Sequence, residues 1–168
     1  MCSSDLVMGR VFMLDIDNPF AVVQKEIEAL RSRTKVIFVD MHAEATSEKM
    51  AMGWHLDGKV TAVVGTHTHV PTADTRVLPG GTAYQTDAGM TGPYDSIIGM
   101  EREPALARFL NAMPSRFEPA TGNPRLNGVV VEADDKTGLA TGITRISLSE
   151  AEIDAMAAAR RLAVSSSR

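Results

Sequence analysis

The chain is poor in cysteine and in long apolar runs. Cys2 is the single cysteine among 168 residues, so no intrachain disulfide can form. This fits a reducing compartment, and we expect a cytoplasmic protein. No segment approaches the roughly 18 consecutive apolar residues of a membrane-spanning helix. We therefore expect no membrane partner.

The chain also lacks an excess of positive charge. It carries 17 Lys and Arg residues against 21 Asp and Glu residues, a net charge of −4. Binding to a nucleic-acid backbone favours a clustered basic face, so we expect no nucleic-acid-binding patch. A small phosphorylated substrate held by metal ions is compatible with this charge. With 44% hydrophobic residues, the chain can form one domain with a core of its own.

The first six residues differ in character from their neighbours. Residues 1–6 (MCSSDL) are a polar leader, whereas residues 7–12 (VMGRVF) resemble the interior of a domain. Codons for the hexapeptide can be written to match a sequencing-adapter end. We expect residues 1–6 to be non-native and residues 7–168 to be the C-terminal portion of a longer single domain. The alternative is a natural short tail.

Hydrophobic periodicity predicts a mixed α/β fold. Helices are expected at 18–33, 46–56, 103–112 and 149–164, the last opened by a Ser149–Glu152 capping box. Short apolar runs at 35–40 and 60–65 predict buried strands, and the helix between them favours parallel pairing. Hairpins are expected at 75–86 and 126–148, and residues 87–94 are expected to be an irregular loop because they are rich in glycine and proline.

Three of the four histidines follow the two buried strands. His42 follows the first strand, and His67 and His69 follow the second. Carboxyl ends of parallel strands meet at one edge of a sheet, so these imidazoles should converge. Residues i and i+2 of an extended backbone point the same way, about 7 Å apart at Cα, and can bind one metal or two adjacent metals. Imidazole suits Zn, Fe, Mn or Ni, so the residues alone do not select the metal.

Carboxylates and small residues near these histidines are further candidates. Asp40, Asp87 and Glu44 could orient the ligand histidines, the usual role of a carboxylate beside a metal-bound imidazole. The alternatives are that the two aspartates cap strand or turn ends and that Glu44 is solvated. A substrate loop could include Gly89, Thr91 and Gly92, where backbone amides could approach a phosphate, although a plain turn is the alternative.

Several segments together resemble a known family. The stretches are DMHAEATSEK (40–49), VVGTHTHV (63–70) and TDAGMTGPY (86–94), with Gly9-Arg10 and DNPF (17–20). In order and spacing they resemble the YmdB-like family of bacterial metallophosphoesterases. The resemblance implies a calcineurin-like two-sheet sandwich flanked by helices, with two divalent metal ions, Fe or Mn or else Zn. It also implies hydrolysis of phosphodiesters, notably 2′,3′-cyclic nucleotides, with His42 and His67 on one metal and His69 on the other.

The sequence departs from that family at its start. The family's first metal motifs, including the residue that acts as general acid, would precede Val7, so no catalytic residue is assigned here. With one or two ligands per metal, we expect the chain alone to be inactive. One alternative is a non-catalytic scaffold or regulatory protein with a structural metal. Another, a zinc amidohydrolase with a His-x-His pair, is a barrel typically near 250 residues. The expected partner is a small phosphodiester or nucleotide, and a homo-oligomer is compatible with these features.

Overall fold

The computed structural model describes residues 2–166, with side-chain surroundings for residues 6–161. Within these residues the architecture is mixed α/β, with two sheets and four helices, as predicted. The helices are α1 (Pro19–Arg31), α2 (Thr46–Leu56), α3 (Arg102–Asn111) and α4 (Glu150–Ser166). The strands are β1 (Cys2–Met8), β2 (Val36–His42), β3 (Ala62–Thr66), β4 (Arg76–Val77), β5 (Ala83–Gln85), β6 (Gly92–Pro93), β7 (Pro124–Ala133) and β8 (Ala140–Ser149). No described helix is long and apolar enough to span a membrane.

The chain forms two compact units. The first contains the residues up to 89 together with 129–145, and the second contains 90–128 together with 146 onwards. Strands β7 and β8 contribute residues to both. A five-stranded sheet of order β1-β2-β3-β5-β4 lies in the first unit, and β6, β7 and β8 form the second sheet. All neighbours in the larger sheet pair in parallel except β4 and β5, which form the predicted hairpin.

Strand β2 faces two cores because alternate side chains point to opposite sides of a sheet. Ile37, Val39 and Met41 join the core that contains buried residues of α1 and α2. Phe38 packs instead against the other core, which includes residues of β3, β5, β7 and β8. Asp40 and His42 share the face of Phe38. The first unit therefore packs helices on one face of its main sheet and strands on the other.

Three elements differ from the sequence-based expectation. Residues 2–8 form a strand, whose Met8 pairs with His42, although residues 1–6 were expected to be a leader. Their origin stays a prediction, and residue 1 lies outside the described residues. Strand β2 continues two residues beyond Asp40, so His42 is its last residue rather than a loop residue. Within the expected 87–94 loop, Gly92 and Pro93 pair with β7, so this part of the prediction was wrong.

The remaining elements follow the sequence pattern. The capping box is present, since Ser149 N donates to Glu152 Oε2 at 2.8 Å and Glu152 N donates to Ser149 Oγ at 3.4 Å. Asn18 caps α1 by accepting from Phe20 N. Helix α2 begins at Thr46, as predicted, and has no side-chain cap. Glu48 is instead buried and accepts from the backbone of Arg10.

Candidate metal centre

His42 and His67 come together at the carboxyl ends of β2 and β3. His42 Nε2 lies 3.2 Å from His67 Nδ1, and the two rings meet edge to face with centroids 4.9 Å apart. The two residues are 25 positions apart in sequence. Parallel pairing of β2 and β3 brings them together, because it places His42 opposite Thr66, the residue before His67.

A chain of hydrogen bonds fixes the orientation of His42. Thr66 Oγ1 donates to Asp40 Oδ1 at 2.7 Å, and His42 Nδ1 lies 3.0 Å from the same hydroxyl oxygen. Because Thr66 donates its hydroxyl proton to Asp40, its hydroxyl oxygen accepts a hydrogen bond from His42 Nδ1–H. In a neutral ring this leaves Nε2 unprotonated. The nitrogen facing His67 is therefore the one that can bind a metal.

Glu44 lies on the other side of His67. Its Oε2 is 3.1 Å from His67 Nε2, with the two side chains 50% and 35% exposed. Both ring nitrogens of His67 thus face acceptor atoms, the Nε2 of His42 and a carboxylate. Among the carboxylates singled out from the sequence, Asp40 acts on His42 through Thr66, and Glu44 contacts His67 directly.

The backbone at His67 and His69 is strained. Strand β3 ends at Thr66, and φ is +101° at His67 and +68° at His69. Residues with a side chain rarely adopt positive φ, and such strain clusters at functional sites. The expectation that both histidines project alike from an extended backbone was wrong. A left-handed backbone, not the two-residue period of a strand, sets their directions.

The three histidines do not form a single cluster. Among the residues whose side chains are described, no three of His, Cys, Asp and Glu gather as a metal-binding group. The structure brings together His42 and His67, while His69 is exposed. The role of all three as ligands stays a prediction. The fourth histidine, His55, lies in the last turn of α2 with its ring against Phe20.

Asp87 acts on the residue between the two histidines rather than on an imidazole. Its Oδ2 accepts from Thr68 N at 3.0 Å and from Thr68 Oγ1 at 2.8 Å, and Gly89 N donates to Oδ1 at 2.8 Å. Lys49 Nζ also donates to Oδ2, at 2.7 Å. Burial alone would raise the pKa of Asp87, but the hydrogen bonds from Lys49, Gly89 and Thr68 outweigh it and hold the pKa below its ordinary value.

Sequence reasoning missed three residues of this site: Lys49, Thr66 and Thr68. Lys49 is fully buried, and its position on α2 among buried neighbours was the only available signal. The two threonines flank His67, and their hydroxyls bond to carboxylates far away in sequence. Nothing in the local sequence pattern identifies those partners.

The substrate-loop candidates fall in both units. Gly89, in the first unit, has φ of +79°, and a Cβ there would be 2.7 Å from Pro71, so the position requires glycine. In the second unit, Gly92 pairs with Arg125, and Thr91 Oγ1 donates to Asn127 O at 3.2 Å. Their role towards a substrate stays a prediction.

The His42–His67 pair fits part of a transition-metal site. Consider two nitrogens that each lie about 2.0–2.1 Å from one metal ion. If the N–metal–N angle is that of an octahedral or a tetrahedral site, the nitrogens are roughly 2.9–3.4 Å apart. The observed 3.2 Å falls in this range. The tautomer of His42 and the carboxylate beside His67 also suit a cation. As ligands, the pair would supply two of the three or four protein ligands that such sites have.

Comparisons with known proteins identify the family of the chain. Residues 6–146 match the family model described as YmdB-like protein. The chain is 53% identical over 144 residues to a 2′,3′-cyclic-nucleotide 2′-phosphodiesterase of Bacillus subtilis (strain 168), covering 86% of this chain and 54% of that protein. It thus spans about half the length of the curated relatives it matches.

Two crystal structures are similar to the chain. A hypothetical protein from Thermus thermophilus matches with a TM-score of 0.81 and 46% identity, over 88% of this chain and 57% of that one. A novel phosphatase from Mycoplasma pneumoniae matches with a TM-score of 0.80 and 38% identity, over 87% of this chain and 52% of that one.

Proposed function

Because the chain belongs to the YmdB-like protein family, we propose that it forms the histidine-bearing part of a metal-dependent phosphodiesterase. The proposed substrates are 2′,3′-cyclic nucleotides or similar small phosphodiesters. Support for this substrate class comes from the name of the Bacillus subtilis relative. Support for the metal comes from the histidine pair itself.

One observation carries the proposal. The unprotonated Nε2 of His42 faces His67 Nδ1 at 3.2 Å, and the Asp40–Thr66 hydrogen bond fixes that tautomer. Carboxylates that fix ligand histidines in this way are typical of metal sites.

In the proposed site each residue has a defined task. His42 and His67 hold one divalent ion and His69 holds a second, with Fe or Mn favoured and Zn as the alternative. Bound ions would supply a water of lowered pKa and would neutralise charge on the phosphoryl oxygens. Asp40 and Thr66 keep His42 in the ligating tautomer. Glu44, whose Oε2 lies beside His67 Nε2, orients that ring.

We assign the general acid and the remaining metal ligands to the part of the relatives that this chain does not span. On this proposal the 168-residue chain binds metal weakly and hydrolyses phosphodiesters slowly or not at all. A site with one or two ligands per metal has low affinity and does not fix a bridging water.

Metal binding by single-histidine variants tests the proposal. We expect the purified chain to bind Mn²⁺ or Fe²⁺ in equilibrium dialysis and His42→Ala or His67→Ala to weaken binding at least tenfold. The matched control is His55→Gln, a histidine outside the site, which should bind within twofold of the parent. Equal binding by all four proteins would contradict the metal site. Robust metal-dependent cleavage of bis-p-nitrophenyl phosphate by this chain would contradict the assignment of essential residues elsewhere.

A second candidate function is a non-catalytic scaffold or regulatory protein with a structural metal. The finding that no three potential ligands cluster among the residues with described side chains bears on a structural metal as well as on a catalytic one, because a structural zinc has four protein ligands. One tightly held zinc ion per chain, retained in His69→Ala, would support this alternative. Loss of one of two bound ions in His69→Ala would support the phosphodiesterase site.

A further inference from the structure

A fully buried ion pair lies beneath the candidate metal centre. Lys49 Nζ is 2.7 Å from Asp87 Oδ2, with side-chain exposures of 0% and 1%. Removing two charges from water is costly, and the attraction between them repays this only when further hydrogen bonds satisfy the remaining polar atoms. Asp87 has such bonds, and they lead to the histidine loop.

The loop of His67, Thr68 and His69 is attached to this pair at its centre. Asp87 Oδ2 accepts both the backbone N–H and the hydroxyl of Thr68. These two bonds fix the position and rotation of Thr68. The residues on either side have positive φ, and strained backbone persists only where its surroundings hold it.

The packing of β3 leaves room for the lysine. The Cδ atom of Lys49 lies 2.8 Å from the position that a Cβ on Gly65 would occupy. The absence of a side chain at Gly65 therefore lets the aliphatic part of Lys49 pass from α2 to Asp87. Gly65, Lys49 and Asp87 thus form one packed group, and Asp87 links this group to Thr68.

We propose that Lys49 is a positioning residue for the histidine loop. Its ammonium holds the Asp87 carboxylate in the orientation that binds Thr68, and Thr68 in turn holds His67 and His69 in their left-handed conformations. The effect on the loop is independent of any metal. The effect on metal affinity rests on the proposed function.

Amide hydrogen exchange of the chain tests the loop directly. In Lys49→Met we expect the Thr68 amide to exchange at least tenfold faster, while the Val63 amide in β3 changes less than threefold. A destabilised control, Val23→Ala in the α1 core, should leave the ratio of the two exchange rates unchanged. Equal acceleration of both amides in Lys49→Met, or unchanged exchange at Thr68, would overturn the proposal.

A second pair of variants covers the case in which Lys49→Met does not fold. Thr68→Val removes one of the two bonds to Asp87 and leaves the buried pair intact, whereas Thr68→Ser keeps the hydroxyl. We expect Thr68→Val to weaken Mn²⁺ binding about fivefold or more and to shift the ring-proton NMR signals of His67 and His69. Thr68→Ser should match the parent within twofold. Identical NMR signals in Thr68→Val and the parent would overturn the positioning role.

The two proposals can fail separately. If the parent chain binds no Mn²⁺, the proposed function fails, while the exchange ratio and the histidine signals still decide the role of Lys49. If the parent binds Mn²⁺ and neither Lys49→Met nor Thr68→Val changes the loop signals, the metal site stands and the positioning role is overturned.

Discussion

A Cβ atom on Gly65 would overlap the backbone carbonyl oxygen of Thr86. Strand β3 and the segment after β5 approach each other this closely just before the histidine loop, where Ala88 N also donates to Gly65 O at 2.9 Å. Close packing, rather than an unusual φ, therefore requires the glycine of the GTHTH segment. The same lack of a side chain accommodates Lys49.

Gly65→Ala should destabilise the fold strongly. The added methyl meets a backbone carbonyl, which cannot move aside as a flexible side chain can, so we expect a loss of about 3 kcal/mol. Urea unfolding followed by circular dichroism measures this. The matched control is Gly128→Ala, because a Cβ at Gly128 has no atom within 4 Å. Equal stability of the two variants would contradict the close approach at Gly65.

The sequence predicted the parts of the site that depend on local pattern and strand order. Apolar runs located β2 and β3, and parallel pairing then placed His42 near His67. The sequence could not show the positive φ of His67, because a left-handed conformation depends on distant contacts. It also could not pair Lys49 with Asp87, which lies 38 residues further along the chain. Periodicity describes which face a residue occupies, but not which distant polar group it meets.

Thr66 should control metal affinity through the tautomer of His42. Thr66→Val removes the hydroxyl that links Asp40 to His42 Nδ1, so the ring loses the bond that keeps Nε2 unprotonated. Loss of such a partner typically weakens metal binding about 10–100-fold. Isothermal titration with Mn²⁺ measures the effect, and Thr66→Ser, which keeps the hydroxyl, is the control. Parent-like affinity in Thr66→Val would show that the relay has no role.

Asp74 should make the fold sensitive to acid. Burial alone would raise its pKa, but hydrogen bonds from Thr72 and Thr86 outweigh this and hold the pKa below the ordinary value of 3.8. The folded chain thus binds this proton less readily than the unfolded chain. The stability that the ionised group contributes is present above about pH 4 and is lost as the pH falls through the folded-state pKa.

Asp74→Asn should therefore be less stable than the parent at pH 7 and should lose less stability between pH 4 and pH 2. Urea midpoints across this range measure the difference. Asp135→Asn, at an exposed carboxylate in the turn between β7 and β8, is the control matched in charge. A parallel decline of Asp74→Asn and the parent would contradict the role assigned to the Thr72 and Thr86 hydrogen bonds.

Tyr84 should ionise only in strongly alkaline solution. Burial, with a smaller contribution from the negative charge of Asp74, raises its pKa to about 12 despite the hydrogen bond with Thr86. Because the phenol of the unfolded chain ionises near pH 10, the neutral form favours the folded state, and this stability is lost as the pH rises from about 10 towards 12.

Phenolate absorbance during a pH titration measures the pKa of Tyr84. Tyr84→Phe should remove this late step. If Tyr84 of the folded parent ionised near pH 10, its phenol would be accessible to water, which would contradict its burial beside Thr86.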